Sequence, residues 1–364
     1  MGGPLSGVRI VEFGAIGPAP FACMLLGDLG AEIVRIDRVG GGEWPEIPVL
    51  NRNRAVLELD LKDGENRAYC LEAIAAADVL VEGFRPGVME KLGLGPDVVH
   101  ARAPQVIYGR MTGWGQDGPL AHSAGHDINY LALAGALSLL GGPGGHPAPP
   151  LNLLGDYAAG ALYLVMGILA ALHERGRSGL GQVIDAAIVD GTASLLAPII
   201  GMAAAKIVDL DPSRNFLSGF SAPFYRTYRC ADGAFLAVGP LEERFRKEMC
   251  RILDVADLGT LDPQGWPADT GLLADIFASR TRDEWAAAFE GTDACVTPVL
   301  SLSEAPYAPH LEARSSYVDG GEILQPAPAP RFSRTPGEIR WSDPARAPGG
   351  VAQLESWGVR RARD

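Results

Sequence analysis

Short apolar runs alternate with helical patterns through the first 110 residues of the chain. Residues 8–13 have the pattern of a buried strand, and residues 19–29 have that of a helix, which Gly30 ends. Repeated βα units of this kind are typical of an α/β fold with a Rossmann-like parallel sheet, in which ligands bind at the carboxyl ends of the strands. The same alternation predicts further strands at 31–37, 55–59, 78–81 and 106–110, and helices at 65–75 and 87–92.

Two long apolar runs follow, and each has ionisable residues directly before it. The run at 130–142 follows Gly125-His126-Asp127, and the run at 157–176 follows Gly155-Asp156. Helices at these runs would carry the polar side chains and free backbone N–H groups at their positive ends. Because a flexible loop at 141–153 joins the runs, we predict that the two helix ends face each other across a pocket.

Beyond residue 200 the pattern changes to that of a second domain. A last strand is predicted within 181–190, and residues 224–239 have the pattern of a hairpin with Asp232-Gly233 as its turn. Helices are predicted at 243–253, 271–279 and 282–289. We therefore predict a large domain at 1–200 completed by the tail 330–364, a linker at 201–221, a small α+β domain at 222–305, and a returning linker at 306–329.

Composition narrows the classes of protein. A chain of 364 residues suggests about two domains, and its net charge of −13 disfavours nucleic-acid binding. The five cysteines are scattered without a CxxC pair, so we expect reduced thiols in a cytoplasmic protein rather than disulfides or a zinc site. No signal peptide is expected, and the longest predicted apolar helix, at 157–172, is shorter than the roughly 18 residues of a membrane span.

Several motifs of common enzyme classes are missing from the sequence. Gly14 and Gly17 form only G-x-x-G where a dinucleotide site needs G-x-G-x-x-G, although Asp37 ends the second predicted strand as a ribose-binding acid would. A nicotinamide cofactor is therefore disfavoured. Metal-binding spacings, a P-loop and a G-x-S-x-G nucleophile elbow are also absent from the sequence.

Basic residues lie near the ends of the predicted strands. In an acidic protein, this placement fits a phosphate-rich ligand bound at the sheet edge. The residues are Arg38, Arg52, Arg54, Lys62, Arg85 and Arg110.

The ionisable candidates have simpler explanations as well. His126 differs from the other histidines because a glycine precedes it, Asp127 adjoins it and a helix follows. Asp156 is about equally well explained as an N-cap, and Asp127 has the same alternative. Glu242 begins an exposed run, Glu242-Glu243-Arg244, for which a solvated helix start is the favoured explanation.

Nine segments spread over the chain form a recognisable set. They are residues 4–12, 27–37, 51–54, 59–62, 84–88, 110–116, 125–130, 150–156 and 330–335. Together they resemble the class III CoA-transferase (CaiB/BaiF) family over essentially the whole chain. His126 before Asp127 is the element that resembles the α-methylacyl-CoA racemase branch of that family.

The resemblance implies an interlocked homodimer, with each active site between the large CoA-binding domain of one subunit and the small domain of the other. Lys91 stands where close relatives often carry arginine, so this phosphate contact keeps its charge but loses the bidentate fork. The implied CoA-binding residues are Arg38, Leu59, Asp60, Leu61, Lys62, Gly83, Phe84, Arg85, Lys91, Gly125, Ile128, Asn129 and Tyr130.

The same resemblance implies racemisation of (2R)- and (2S)-2-methylacyl-CoA by 1,1-proton transfer through an enolate. His126 and Asp156 would be the two acid/base groups, with Glu242 orienting His126 from the other subunit. Asp127 would supply a backbone N–H to the enolate oxygen. No metal or redox cofactor is expected, since CoA is part of the substrate.

Two other functions stay open at this point. A CoA transferase would use Asp127 as its nucleophile, and an idle CoA-binding dimer would need none of the acid/base groups. The acyl chain is also undecided, because branched fatty acids, sterol side chains and arylpropionates share the same reactive unit. An apolar surface for that chain is hypothesised at Met202, Ile207, Leu217 and Phe220.

Overall fold

The computed structural model describes residues 2–41, 47–141, 146–256, 258, 263–320, 324–341 and 347–361. The chain divides into two compact units. The first comprises Met1–Ala134, Pro150–Leu195 and His310–Asp364, and the second comprises Gly135–Pro149 and Leu196–Pro309.

One stretch of the predicted large domain groups elsewhere. Residues 135–149, predicted within the first domain, group with the second unit. The chain turns at Gly135, whose φ of +89° favours glycine, and Gly141 then lies against the ring of Phe220. The other predicted domain boundaries stay predictions.

The first unit is built on a parallel sheet. Its described strands lie in the order β3-β2-β1-β4-β5-β6, and every neighbouring pair is parallel. This doubly wound order confirms the predicted α/β fold, and it places a crevice at the carboxyl edge between β1 and β4, where the winding direction reverses. The strands are Arg9–Phe13 (β1), Glu32–Asp37 (β2), Arg54–Glu58 (β3), Val79–Glu82 (β4), Ile107–Thr112 (β5) and Val183–Ala187 (β6).

Helices cover both faces of this sheet. Successive strand residues point to opposite faces, so Ile10 joins one core cluster while Val11 and Phe13 join the other. The helices of the first unit are Pro18–Asp28, Pro48–Asn51, Gly64–Ala75, Val88–Lys91, Pro96–Arg102, Asp127–Leu133, Leu162–Ser178, Ile188–Leu195 and Gly350–Ser356.

The two apolar runs fold differently from the prediction. The first run forms two short helices, Asp127–Leu133 and Ala136–Leu139, because the chain breaks at Gly135. The second run begins earlier than predicted, with a π-helical segment at Leu153–Ala161 that continues into the α-helix Leu162–Ser178. Asp156 therefore lies inside the π-helical segment, and its alternative role as the N-cap is wrong.

This continuous helix, Leu153–Ser178, is 26 residues long rather than the shorter stretch predicted. By length and composition it could cross a membrane, and 33% of an apolar 18-residue stretch within it is buried. The core helix of a soluble protein can have the same length and composition, so one such helix is weak evidence for a membrane span. Leu164 and Ile168 are fully buried in the core cluster beneath the sheet, as in a core helix.

The second unit contains a small antiparallel sheet. The predicted hairpin is present as Arg226–Arg229 (β7) and Phe235–Val238 (β8), and Val296–Pro298 (β9) adds an edge that was not predicted. Phe277 and Trp285 pack at the centre of its core. The helices of this unit are Ala136–Leu139, Ala197–Ala204, Glu243–Leu253, Trp266–Phe277 and Arg282–Phe289, with a 3₁₀ turn at Ala305–Tyr307.

After the second unit the chain returns to the first. Helix Pro309–Ala313 is followed by the antiparallel pair Tyr317–Asp319 (β10) and Leu324–Pro326 (β11). Arg52 donates to the Gln325 side chain at 3.0 Å and to the Pro326 carbonyl at 2.8 Å. Arg52, which lies just before β3, thereby binds the returning segment at β11.

Candidate active site

The predicted CoA-binding residues come from the carboxyl edge of the sheet and its neighbouring helices. Arg38 directly follows β2, residues 59–62 follow β3, and residues 83–85 follow β4. Parallel strands bring these loops to a single edge. Arg38, Lys62 and Arg85 are exposed there, as a binding site for anionic groups requires.

Three of the basic residues noted in the sequence do not serve this edge. Arg54 begins β3, so it lies at the opposite end of that strand, where its Nε donates to Glu12 Oε2 at 2.5 Å. Arg52 pairs with Asp28, and Arg110 pairs with Glu82 and Glu90. A buried guanidinium needs a carboxylate partner, so the expectation that these three bind a phosphate-rich ligand is wrong.

His126 is the N-cap residue of helix Asp127–Leu133. Its backbone N–H donates to Asn129 Oδ1 at 3.0 Å, and its carbonyl accepts from the Asn129 N–H at 2.8 Å. These reciprocal bonds fix the helix start while the imidazole stays exposed. The predicted residues Ile128 and Asn129 lie in the same first turn, and both are exposed.

Asp156 is half-buried and has a raised pKa. Burial is the main cause, the hydrogen bond from Asn152 lowers the pKa, the negative charge of Asp127 raises it, and His126 lowers it. The amide of Asn152 donates to Asp156 Oδ2 at 3.1 Å. Asp156 therefore has a carboxylate that is more basic than an exposed one and lies within electrostatic reach of His126.

Asp127 joins the two helix starts. It is 6% exposed, and its Oδ1 accepts a hydrogen bond of 2.6 Å from the backbone N–H of Asp156. Burial raises the pKa of Asp127. The two polar groups of the sequence prediction are thus physically connected through this one carboxylate.

His126 and Asp156 line the same cavity of about 310 Å³, which is also lined by the segments that follow β1 and β4. The predicted residues Gly83, Phe84, Arg85, Gly125 and Tyr130 also line it. Apolar side chains supply much of the remaining wall. Among them are Ile16, Met111, Trp114 and Ile188.

Tyr130 also forms part of the cavity wall. Its hydroxyl donates to the Gly125 carbonyl at 2.5 Å, and its ring meets Trp114 edge-on at 4.7 Å. Burial, followed by the charge of Asp156, raises the pKa of Tyr130 to about 12, so the hydroxyl remains a donor at neutral pH. Its ring also leaves no room for a side chain at Gly125.

Other predicted site residues lie elsewhere. Lys91 is exposed at the end of helix Val88–Lys91. Glu242 belongs to the second unit, where it is the exposed N-cap residue of helix Glu243–Leu253. The hypothesised acyl-chain residues Met202, Ile207, Leu217 and Phe220 also belong to the second unit.

Sequence reasoning missed the support of Asp156. Asn152 lies one helical turn before Asp156, so its spacing was available as a signal. Gly17 has a φ of +72°, which favours glycine, and a Cβ atom there would lie 3.5 Å from Asp156 Oδ2. No local sequence pattern indicates this proximity.

Among the described residues, no group of three or more His, Cys, Asp or Glu side chains is placed to hold a metal ion. The expectation that the reaction needs no metal or cofactor stays a prediction.

Comparison with known proteins agrees with this architecture. Residues 5–347 match the model of CoA-transferase family III. An alpha-methylacyl-CoA racemase of Mus musculus is 45% identical over 337 residues, which cover 91% of this chain and 87% of the relative. The Homo sapiens protein of that name is 42% identical over 336 residues, with the same coverage of 91% and 87%. The crystal structure of a CaiB/BaiF family protein from Brucella suis aligns with a TM-score of 0.80 at 25% identity, covering 94% of this chain and 96% of that one.

The fold and the site define a doubly wound α/β protein with a ligand pocket at the carboxyl edge of its sheet. The chain belongs to CoA-transferase family III.

Proposed function

We propose that the protein is an α-methylacyl-CoA racemase that interconverts (2R)- and (2S)-2-methylacyl-CoA thioesters. The observation that carries this proposal is the shared cavity, in which an imidazole and a carboxylate lie within electrostatic reach of each other. The two relatives at 42% and 45% identity, both named alpha-methylacyl-CoA racemase, support the substrate class.

Racemisation requires removal of the α-proton from one face of the substrate and its return to the other. One group must be unprotonated and the other protonated at the start of each turnover. A half-buried carboxylate at Asp156 and an imidazolium at His126 meet this requirement, and they exchange roles in the reverse direction. Neither group forms a covalent bond to the substrate in this mechanism.

The enolate oxygen formed by proton removal needs hydrogen-bond donors. The first turn of helix Asp127–Leu133 is adjacent to His126 and lies at the positive end of that helix. We assign the Asp127 backbone N–H as a donor to the thioester oxygen, where it is strongest as negative charge develops.

The CoA portion would lie along the carboxyl edge of the sheet. Arg38, Lys62 and Arg85 are exposed cations that follow β2, β3 and β4. Lys91, exposed at the end of helix Val88–Lys91, would add a fourth. The remaining contacts would come from Leu59, Asp60, Leu61, Gly83, Phe84, Gly125, Ile128, Asn129 and Tyr130.

Further features follow from the family resemblance. The protein would be a cytoplasmic, interlocked homodimer, with Glu242 orienting His126 from the other subunit. No cofactor would be needed beyond the CoA of the substrate.

Proton exchange in D₂O tests the proposal. Incubation with either enantiomer of a 2-methylacyl-CoA should replace the α-hydrogen by deuterium, as followed by NMR. In the same tubes, an acceptor acid reports transfer of CoA. Acyl transfer without α-exchange would overturn the racemase proposal in favour of a CoA transferase, and neither activity would favour an idle CoA-binding protein.

A further inference from the structure

The carboxylate of Asp127 is committed to a contact that the proposed mechanism leaves unexplained. Its Oδ1 accepts the backbone N–H of Asp156 at 2.6 Å. Asp156 is the fourth residue of the π-helical segment Leu153–Ala161. In a π-helix the first five N–H groups have no partner within the helix, so Asp127 supplies from another helix the acceptor that this end requires.

Gly155 makes this contact possible. A Cβ atom at this position would lie 2.3 Å from Asp127 Oδ1, far inside normal contact distance. The glycine before Asp156 therefore lets the Asp127 carboxylate approach the helix end. The turn that carries Asp156 is fixed from outside its own helix.

The same carboxylate acts on Asp156 through its charge. Asp156 faces Asn152 on its own helix, and His126, Asp127 and Tyr130 on the neighbouring helix start. Asp127 is the negative neighbour that raises the pKa of Asp156, against the lowering effects of Asn152 and His126. Burial raises the pKa of Asp127, and hydrogen bonds from the backbone N–H groups of Asp156 and Gly155 lower it by favouring the ionised form. Asp127 Oδ2 is buried without a hydrogen-bond partner among the described residues, so no described donor shields this oxygen from Asp156.

We infer that Asp127 is a positioning residue whose side chain holds the turn of Asp156 and whose charge keeps Asp156 a proton acceptor. This inference rests on the proposed racemase function. It assigns to the side chain a role distinct from that of the Asp127 backbone N–H, and it excludes Asp127 as a nucleophile.

The environment of Asp127 is unsuited to nucleophilic attack. A nucleophilic carboxylate must present an oxygen to the thioester carbonyl. Oδ1 is bound to the Asp156 N–H, Oδ2 is buried although it has no hydrogen-bond partner among the described residues, and Asp127 is 6% exposed. An acyl anhydride on Asp127 would also break the contact that fixes Asp156.

Two substitutions separate the geometric and electrostatic roles. Asp127→Asn keeps an oxygen for the Asp156 N–H but removes the charge, so the pKa of Asp156 should fall. The acidic limb of the pH profile, where kcat for α-exchange falls as the pH drops, should then move to lower pH. Asp127→Ala also removes the acceptor, and kcat should fall about 10- to 100-fold with KM little changed, since one lost buried hydrogen bond has that weight. Asp97→Asn, an exposed carboxylate on helix Pro96–Arg102, is the matched control.

The outcomes distinguish this inference from the proposed function. Thermal unfolding of each variant first shows whether it is folded, and the isosteric Asp127→Asn keeps the test available if Asp127→Ala is not. Wild-type protein that fails to exchange the α-proton would overturn the proposed function. Wild-type exchange together with an unmoved acidic limb in Asp127→Asn would overturn the inference. A wild-type CoA-transfer activity that Asp127→Asn abolishes would overturn it as well.

Discussion

Asp156 is a carboxylate whose proton affinity depends on a few identifiable neighbours. Burial raises its pKa most, and Asn152 opposes this through a hydrogen bond of 3.1 Å to Oδ2. Because Asp156 acts as a base only when ionised, activity in the direction that uses it should fall as the pH drops through this raised pKa. The fall in activity at low pH should therefore occur at a higher pH than the titration of an exposed aspartate.

Removing Asn152 tests this arrangement. In Asn152→Ala the hydrogen bond that stabilises the ionised form is lost, so the pKa of Asp156 should rise and the acidic limb should move to higher pH. The pH profile of α-deuterium exchange measures the shift. Leu153→Ala, at an exposed neighbouring side chain, should leave the limb in place, and an unmoved limb in Asn152→Ala would contradict the account.

For single residues, the sequence shows which side chains are ionisable but not which of them are available to bind a ligand. Arg38 and Arg54 both lie at ends of neighbouring strands, yet Arg38 is exposed while Arg54 is fully buried against Glu12. The difference depends on which end of the strand each residue occupies and on a partner 42 positions away. His126 and Asp156 were predictable because each precedes a long apolar run.

Close backbone approach fixes the π-helical segment Leu153–Ala161 against helix Ile188–Leu195. A Cβ atom on Gly191 would lie 2.0 Å from the Ala159 carbonyl oxygen, which is backbone and cannot rotate away. The segment that carries Asp156 is therefore supported by its contact with a neighbouring helix as well as by Asp127.

Gly191→Ala should accordingly destabilise the protein by about 1–3 kcal/mol, through overpacking at a buried position. Thermal or urea unfolding measures this change. Gly176→Ala is the matched control, because this exposed helical glycine has open space around its Cβ position. The control should be neutral or stabilising by up to about 1 kcal/mol, so equal effects in both variants would contradict the packing argument.

Most elements could be predicted from the sequence, because strands and amphipathic helices have distinct apolar periods. Helices Glu243–Leu253 and Arg282–Phe289 begin and end where the pattern places them. The π-helical segment could not be predicted, since an apolar run has no period that separates a π-helix from an α-helix. The break at Gly135 was overlooked because one glycine is tolerated within many apolar helices.

At the scale of the whole molecule, the chain returns to the first unit through buried polar contacts. Asn53 Nδ2 donates to the Glu338 carbonyl at 3.0 Å, and Asn53 Oδ1 accepts from the Arg340 N–H at 2.7 Å. Arg52 binds Asp28 beneath the returning segment and also Gln325 and Pro326 within it. These contacts join residues nearly 300 positions apart in the chain.

Arg52→Ala should therefore cost about 3–5 kcal/mol of unfolding free energy, because Asp28 would be left buried without its cation. Denaturant unfolding measures the loss. In the control Arg102→Ala, the lost partner is Glu72 in an exposed ion pair, and the cost should stay below about 1 kcal/mol. A similarly small loss for Arg52→Ala would show that the buried Arg52–Asp28 pair does not stabilise the returning segment.

Contacts between residues that are distant in the chain could not be predicted from the sequence. The tail was expected to rejoin the first unit, but no local pattern connects Asn53 with Glu338 or Trp357 with Glu32. The strand order could not be predicted either, because β1 pairs both with β2, the next strand in the chain, and with β4, which is more distant. The crevice at that point, which holds the cavity of His126 and Asp156, became visible only in the folded chain.

In the proposed mechanism, two groups act on opposite faces of the α-carbon. The most direct test follows α-deuterium exchange in D₂O for His126→Ala and Asp156→Ala, each with the separate (2R)- and (2S)-2-methylacyl-CoA enantiomers. Both variants should lose racemisation by at least about 10²-fold. Each should retain exchange with one enantiomer, and the retained enantiomer should differ between the two variants. Exchange of both enantiomers at wild-type rates in either variant, or retention of the same enantiomer in both, would contradict the two-base mechanism.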